Sequence, residues 1–288
     1  MFKIINKQVL MEGVKRLDIY APFVARIARP GQFVSICVDE NDERIPMSIS
    51  DAHAAEGAIS LIVQEAGPTS RKFGNLGINE EIFSIIGPLG VAPEISKKGT
   101  VVCVATGIGA AQILPVARAF KDAGNKVVGI IGSRTRGRLL LEPQLRLVCT
   151  NVLVATEDGS FGRRAKATDL LRQLLERESV DYVYAAGSAA MMESVCEMTK
   201  AKHIPTRVQL NPLMIDCVGM CGSCRVRVAG RSVLACMEGP SFDGHQVDFR
   251  DYYTRIRGLD ICDHNQSFSP KKKESGTFMK FVSDILSD

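Results

Sequence analysis

Along the first 96 residues the apolar positions come in short runs: QFVSICV (32–38), ISLIVQE (59–65) and EIFSIIG (81–87). They are rich in β-branched residues and separated by Gly, Pro, Asn and Asp, which predicts a small antiparallel barrel or sandwich. From 97 to about 205 the texture changes. Buried-strand runs TVVCVAT (100–106), KVVGIIG (126–132), NVLVATE (151–157) and DYVYAAG (181–187) alternate with the helical stretches AAQILPVARAFKDAG (110–124) and ATDLLRQLLERES (167–179). That alternation predicts a parallel α/β sheet. RVRVAGRSVLAC (225–236) reads as a hairpin turning at Ala229–Gly230. Past Asp260 the chain is polar, and Phe278, Phe281, Val282, Ile285 and Leu286 then fall at helical spacing. They predict an amphipathic helix that docks on its own domain or on a partner subunit. Four segments result: a β-barrel at 1–96, an α/β domain at 97–205, a small cysteine-bearing domain at 206–262, and a polar tail at 263–288.

Composition narrows the class. The 288 residues carry a net charge of +4, with 24% charged and 45% hydrophobic residues, as in an ordinary globular chain. Cations and anions are interspersed, and Lys271–Lys273 sits in the polar tail as a solvated run, so no nucleic-acid face is expected. The N-terminal MFKIINKQVLMEG mixes in charge too early for a signal-peptide core. No run approaches the roughly 18 to 20 apolar residues of a membrane span. The expected compartment is the cytoplasm, where thiols stay reduced. Of nine cysteines, Cys37, Cys103, Cys149 and Cys196 each stand alone among apolar residues, and Cys262 is isolated near the tail. The group at 217–236 therefore points to a metal site rather than a disulfide framework.

Strand VVCVA runs directly into Thr106-Gly107-Ile108-Gly109 and a helix. Glycines there let the backbone approach a pyrophosphate, and the helix N-terminus favours its charge. The third glycine of the full dinucleotide fingerprint is absent, so a tight ligand-free turn is the plain alternative. Arg134, Asp158 and Gly187 follow the next three strands at the same sheet edge. Arg134 is suited to a ribose or phosphate, and Asp158 to a sugar or amide. In the barrel, the extended segment Arg44-Ile45-Pro46-Met47-Ser48 sets a guanidinium that can fork a pyrophosphate near a hydroxyl that can donate to a flavin ring edge. Gly67-Pro68-Thr69-Ser70 reads as a helix start with capping hydroxyls and free N–H groups.

Asp216-x4-Cys221-x2-Cys224-x11-Cys236 has the ligand spacing of a 2Fe–2S site, with a carboxylate in the first position. Cys217, one residue along, competes for that place, and spacing favours Asp216. The competing metal is structural zinc on Cys217, Cys221, Cys224 and Cys236. Zinc ribbons usually carry two CxxC pairs, and this chain has one. Arg225, Arg227 and Arg231 on the hairpin form a solvated face or a dock for an acidic partner.

The ordered motifs RIPMS, GPTS, GPLG, TGIGAAQ, GSRT, EDGS and AAGSAAMM, followed by the Asp/Cys group, resemble the ferredoxin–NADP reductase superfamily over about residues 1–262. The branch resembled carries a C-terminal 2Fe–2S segment. It includes the electron-transfer subunit of dihydroorotate dehydrogenase, the β subunit of sulfide dehydrogenase and the small (alpha) subunit of NADH-dependent reduced ferredoxin:NADP oxidoreductase. LNPLMIDCVGMCGSCRV with GPSFDGHQVDF looks most like the last two. The resemblance implies that Arg44 and Ser48 hold FAD, helped by Thr69 and Ser70, and that Gly107, Gly109 and Gly187 border NAD(H) or NADP(H). Many relatives place an aromatic residue where this chain has Pro46 and Met47, and plant-type relatives a cysteine beside Gly187. Such departures suit a second chain covering the flavin.

The implied activity is a relay from NAD(P)H through FAD and a 2Fe–2S cluster to a larger flavoprotein or iron–sulfur partner, in a heterodimer that bifurcates electrons toward NADP and ferredoxin. No general base is required, and the four histidines form no catalytic group. The alternatives are the dihydroorotate dehydrogenase electron-transfer subunit and a non-catalytic, zinc-stabilised binding module.

Overall fold

The computed structural model describes residues 2–256; Cys262, the polar tail and its expected helix lie outside the described residues. In the first part, strands β1 (Phe2–Met11), β2 (Val14–Tyr20), β3 (Phe33–Cys37), β4 (Ile45–His53), β5 (Ala58–Gln64), β6 (Glu81–Ile82) and β7 (Ser84–Leu89) form one antiparallel sheet. Its order is β6-β1-β2-β5-β4-β3-β7, so two strands adjacent in sequence lie at opposite edges and the sheet nearly closes into a barrel. Helices α1 (Pro22–Ile27) and α2 (Pro68–Asn75) connect its strands. The run EIFSIIG, expected as a single strand, breaks at Phe83: β6 pairs with β1 while β7 pairs with β3. Phe83 is exposed at that corner.

The second sheet has the order β11-β10-β9-β8-β12-β13-β16. Its parallel strands are β8 (Thr100–Thr106), β9 (Lys126–Ser133), β10 (Asn151–Thr156), β11 (Arg163–Arg164), β12 (Tyr182–Ala186) and β13 (Thr206–Gln209). Helices α3 (Gly109–Asp122), α4 (Glu142–Val148), α5 (Ala167–Arg177) and α6 (Ala189–Lys200) connect them. The hairpin β14 (Arg225–Val228) and β15 (Arg231–Leu234) turns where expected, with Ala229 and Gly230 both at positive φ, as a two-residue turn of matching twist requires. Helix α7 (Ala235–Glu238), strand β16 (Ser241–Asp243) and helix α8 (Phe249–Ile256) follow.

β13 and β16 extend the parallel sheet beyond residue 205, with β16 antiparallel to β13. The cysteine loop is thus an excursion between two strands of that sheet. One buried core accordingly runs from Val102 and Val104 on β8 to Cys217, Cys224 and Cys236.

Candidate cofactor sites

The loops at the carboxyl ends of β8, β9, β10 and β12 share one sheet edge, the place where open α/β sheets bind ligands. Thr106 and Gly187 meet there, because β8 and β12 are neighbours. Thr106 Oγ1 accepts the Ser188 N–H at 3.2 Å. A side chain at Gly109 would run into the Ala186 carbonyl, so glycine lets α3 start tight against β12. Gly107 is left-handed at φ 54°, and no side chain caps α3, whose Ala110 and Ala111 N–H groups turn back to the Gly107 and Ile108 carbonyls. The loops after β9 and β10 are laced together: Asp158 N–H donates to the Arg134 carbonyl at 3.1 Å, and Arg136 N–H to Ser160 Oγ at 2.8 Å. The Asp158 carboxylate is engaged within its own turn, accepting Ser160 N–H (2.9 Å) and Ser160 Oγ (2.7 Å). Those bonds, the Ser160 hydroxyl first, hold its carboxyl below the usual range.

On the barrel, register decides which side chains can serve a ligand. Phe33 opposes Ser48, Val34 opposes Met47, and Ser35 opposes Pro46. Val34, Ile36, Met47 and Ile49 fill the barrel interior. Phe33, Ser35, Pro46 and Ser48 therefore share the outer face. Met47, expected beside a cofactor, is a core residue instead, because strand alternation turns its side chain inward. Arg44 Nη2 donates to Ser84 Oγ at 3.0 Å, while its Nη1 is buried with no hydrogen-bond partner. An orphaned guanidinium nitrogen of that kind suits an anionic ligand. At the start of α2, Ser70 Oγ accepts Gly67 N–H at 2.8 Å and donates back to the Gly67 carbonyl at 3.0 Å. Thr69 is half-buried in the same turn.

Three thiols of the cysteine loop, Cys217, Cys224 and Cys236, are buried, while Cys221 is exposed. Backbone N–H groups already point at sulfur: Ser223 to Cys221 and Cys236 to Cys224, each at 3.5 Å. Asp216 gathers more of them, accepting from Val218 (3.0 Å), Met220 (3.0 Å) and Cys221 (2.6 Å). Desolvation pulls the Asp216 carboxyl upward, yet these N–H bonds together hold it below the usual range. Burial, with Cys224 alongside, pushes the Cys236 thiol up to about 12, and burial also raises Cys217. The Ser223 hydroxyl foremost lowers Cys221.

Among the described residues no three such side chains converge on a single-ion site. The loop fits a cluster by its chemistry: soft sulfur donors, a carboxylate, and a nest of N–H groups turned on an anion, as 2Fe–2S loops turn them on cluster sulfur. Cys217 is left-handed at φ 64° and shares one buried core with Cys224, Cys236 and Phe33.

A pair of side-chain amides joins the barrel to the α/β sheet. Gln112 Nε2, on α3, donates to Ser48 Oγ at 3.2 Å and to Asn211 Oδ1 at 2.8 Å. Asn211 Nδ2 returns a bond to Gln112 Oε1 at 3.3 Å. Gln112 closes the motif TGIGAAQ as an amide in an otherwise apolar stretch, AAQILPVA, and Asn211 lies in the run LNPLMIDCVGMCGSCRV.

The iron–sulfur cluster binding domain of dihydroorotate dehydrogenase B matches residues 211–248. The chain is 35% identical to the dihydroorotate dehydrogenase B electron transfer subunit homolog of Thermotoga maritima, over 88% of this chain and 90% of that protein. It belongs to the family of dihydroorotate dehydrogenase B electron-transfer subunits and their homologues. The electron-transfer subunit of Desulforamulus reducens is 28% identical over 85% of this chain and 96% of its own length.

A chain of the NADH-dependent reduced ferredoxin–NADP oxidoreductase structure superposes on this electron-transfer subunit with a TM-score of 0.85 at 34% identity, over 90% of this chain and 93% of that one. A ferredoxin–NADP+ reductase of Neisseria gonorrhoeae, solved with FAD and NADP, shares the fold (TM-score 0.54, 15% identity, 69% and 89% covered). This electron-transfer subunit thus joins the FAD- and nicotinamide-binding fold of ferredoxin–NADP reductases to an iron–sulfur-binding domain. The zinc-module alternative gives way to that match. No helix among the described residues is long and apolar enough to cross a membrane.

Proposed function

We propose that this subunit accepts reducing equivalents from NADH or NADPH in the cytoplasm and passes them singly to a larger flavoprotein or iron–sulfur partner. In this reading residues 1–96 hold FAD, 97–205 the nicotinamide nucleotide, and 206–262 a 2Fe–2S cluster. Arg44 grips the FAD pyrophosphate with its unpaired Nη1, aided by Thr69 and Ser70 in the Gly67-Pro68-Thr69-Ser70 turn that starts α2. Ser48 and Pro46 border the ring, with Met47 supporting them from the core. Thr106, Gly107, Gly109 and Gly187 line the nicotinamide end, and the Arg134 and Asp158 loops the far end. Asp216, Cys221, Cys224 and Cys236 hold the cluster. When bound, FAD would convert a two-electron hydride into single electrons and the cluster would carry them out one at a time.

The observation that carries this reading is the Gln112–Ser48 bond, which holds the outer face of β4 against the first turn of α3. The two proposed ring sites therefore share a wall, as direct hydride transfer needs. Leu213, Ile215, Met220 and Met237 are exposed around the cysteine loop, which suits a covering partner. A partner that bifurcates electrons between NADP and ferredoxin agrees with the 34%-identical structure. A dihydroorotate dehydrogenase partner is the second reading, favoured by the names of several relatives, while the carboxylate at Asp216 favours the first. The test is anaerobic purification of the native complex, identification of the co-purifying subunit, and titration with NADH and NADPH. Bleaching of the flavin band is expected with one nucleotide; a band unmoved by both overturns the reading.

A further inference from the structure

We infer that Gln112 is a positioning residue that sets the direction of the Ser48 hydroxyl toward the flavin and ties that hydroxyl to the cluster-bearing segment. The inference rests on Ser48 bordering the flavin, as proposed above, and goes beyond it in naming what controls Ser48. Gln112 is nearly buried, at 6% exposure, in the first turn of α3, three residues after Gly109. A buried amide must satisfy both its donors and its acceptor. Gln112 does so across three parts of the molecule: Ser48 on the barrel strand, its own helix in the α/β sheet, and Asn211 at the entry to the iron–sulfur-binding domain. Asn211 is anchored in turn, its N–H donating to Tyr252 Oη at 2.8 Å on α8.

The chemistry gives direction. An amide nitrogen is a donor only, so Ser48 Oγ must accept from it. The single Ser48 proton is left to be given elsewhere, toward a ligand lying on the outer face of β4. Ser48 opposes Phe33, and Phe33 shares a core with Cys217, Cys224 and Cys236, so that face also borders the cysteine loop. A carboxylate at 112 would reverse the polarity, drawing the Ser48 proton to itself. A leucine would leave the hydroxyl free to rotate.

The test uses the full chain in its native complex, with the variants Gln112→Leu, Gln112→Glu, Ser48→Ala and the Gln112→Leu/Ser48→Ala pair. FAD retention, the position of the flavin absorption band and iron content are measured for each. Gln112→Leu is expected to weaken FAD retention about tenfold, the size of one good hydrogen bond to a ligand. Gln112→Glu is expected to weaken it at least as much and to shift the flavin band, with iron content kept. In the Ser48→Ala background, Gln112→Leu should add almost nothing, because its effect travels through Ser48.

Effects of Gln112→Leu and Ser48→Ala that multiply, or Gln112 variants that retain FAD and its spectrum unchanged, overturn the inference. Loss of FAD and iron together in Gln112→Glu, which preserves size, marks a purely structural role and also overturns it. A parent complex without flavin would instead sink the proposed function, so the two failures are distinguishable.

Discussion

Arg118 Nη1 on α3 donates to Asp51 Oδ1 on β4 at 2.7 Å, a charged tie between the nucleotide helix and the barrel strand that carries Ser48. The pair is partly open to solvent, at 42% and 18% side-chain exposure, so it is worth about 0.5 to 1 kcal/mol. A double-mutant cycle of Arg118→Ala and Asp51→Ala, read by urea unfolding, should return a coupling of that size at low salt. The coupling should shrink in high salt, where the Debye length falls to about 3 Å. A coupling indifferent to salt would mean that packing, not charge, joins the two elements.

Arg44 should behave as a binding residue rather than a structural one. Its Nη1 is buried without a partner, a state that costs about 1 to 3 kcal/mol. Arg44→Met removes that cost and forfeits only the bond to Ser84. The flavin-free variant should unfold at a urea concentration equal to or above that of the parent, while its FAD affinity falls tenfold or more. Destabilisation with FAD affinity intact would count against the assignment.

Asp216 and Cys217 separate by iron analysis. Asp216→Ala removes both the proposed oxygen ligand and the acceptor of three loop N–H groups, so anaerobically prepared protein should hold well below the parental iron. Cys217→Ala should keep its iron and its paramagnetic signal after reduction, since the ligand spacing places Asp216 in the first position. The reverse pattern would make Cys217 the fourth ligand.

Asp18 makes the barrel acid-sensitive. Burial is the largest influence on its carboxyl and works upward, but Ser60 Oγ (2.6 Å), Arg16 Nε (2.8 Å) and Asn6 Nδ2 (2.9 Å) together bring it below the usual range. A carboxyl that is more acidic folded than unfolded stabilises the fold fully above its unfolded value, about 3.9, and loses that contribution as pH falls through the folded one. The stability gap between parent and Asp18→Asn should be constant near neutrality and close below about pH 4. Unfolding curves at stepped pH give the answer; a gap that widens in acid would reverse the sign.

Elements with strong local patterns are legible in the amino-acid order itself. TVVCVAT coincides with β8, the helix expected at 110–124 is α3 at Gly109–Asp122, and the hairpin turns at Ala229–Gly230. Local steric and solvation preferences repeat along such segments, so period and turn chemistry suffice to read them. The glycine turn and the Asp/Cys spacing are likewise visible as motifs, since both place their groups within one short loop.

Tertiary structure decided the rest, because it depends on which distant strand lies alongside. Register with β3 turned Met47 inward and Ser48 outward. Pairing of β13 and β16 drew the cysteine segment onto the parallel sheet. Ser70 and Asp158 proved to be engaged in their own turns, and Gln112 met Asn211 across 99 positions of sequence. A buried amide advertises that it needs partners; only the folded chain names them.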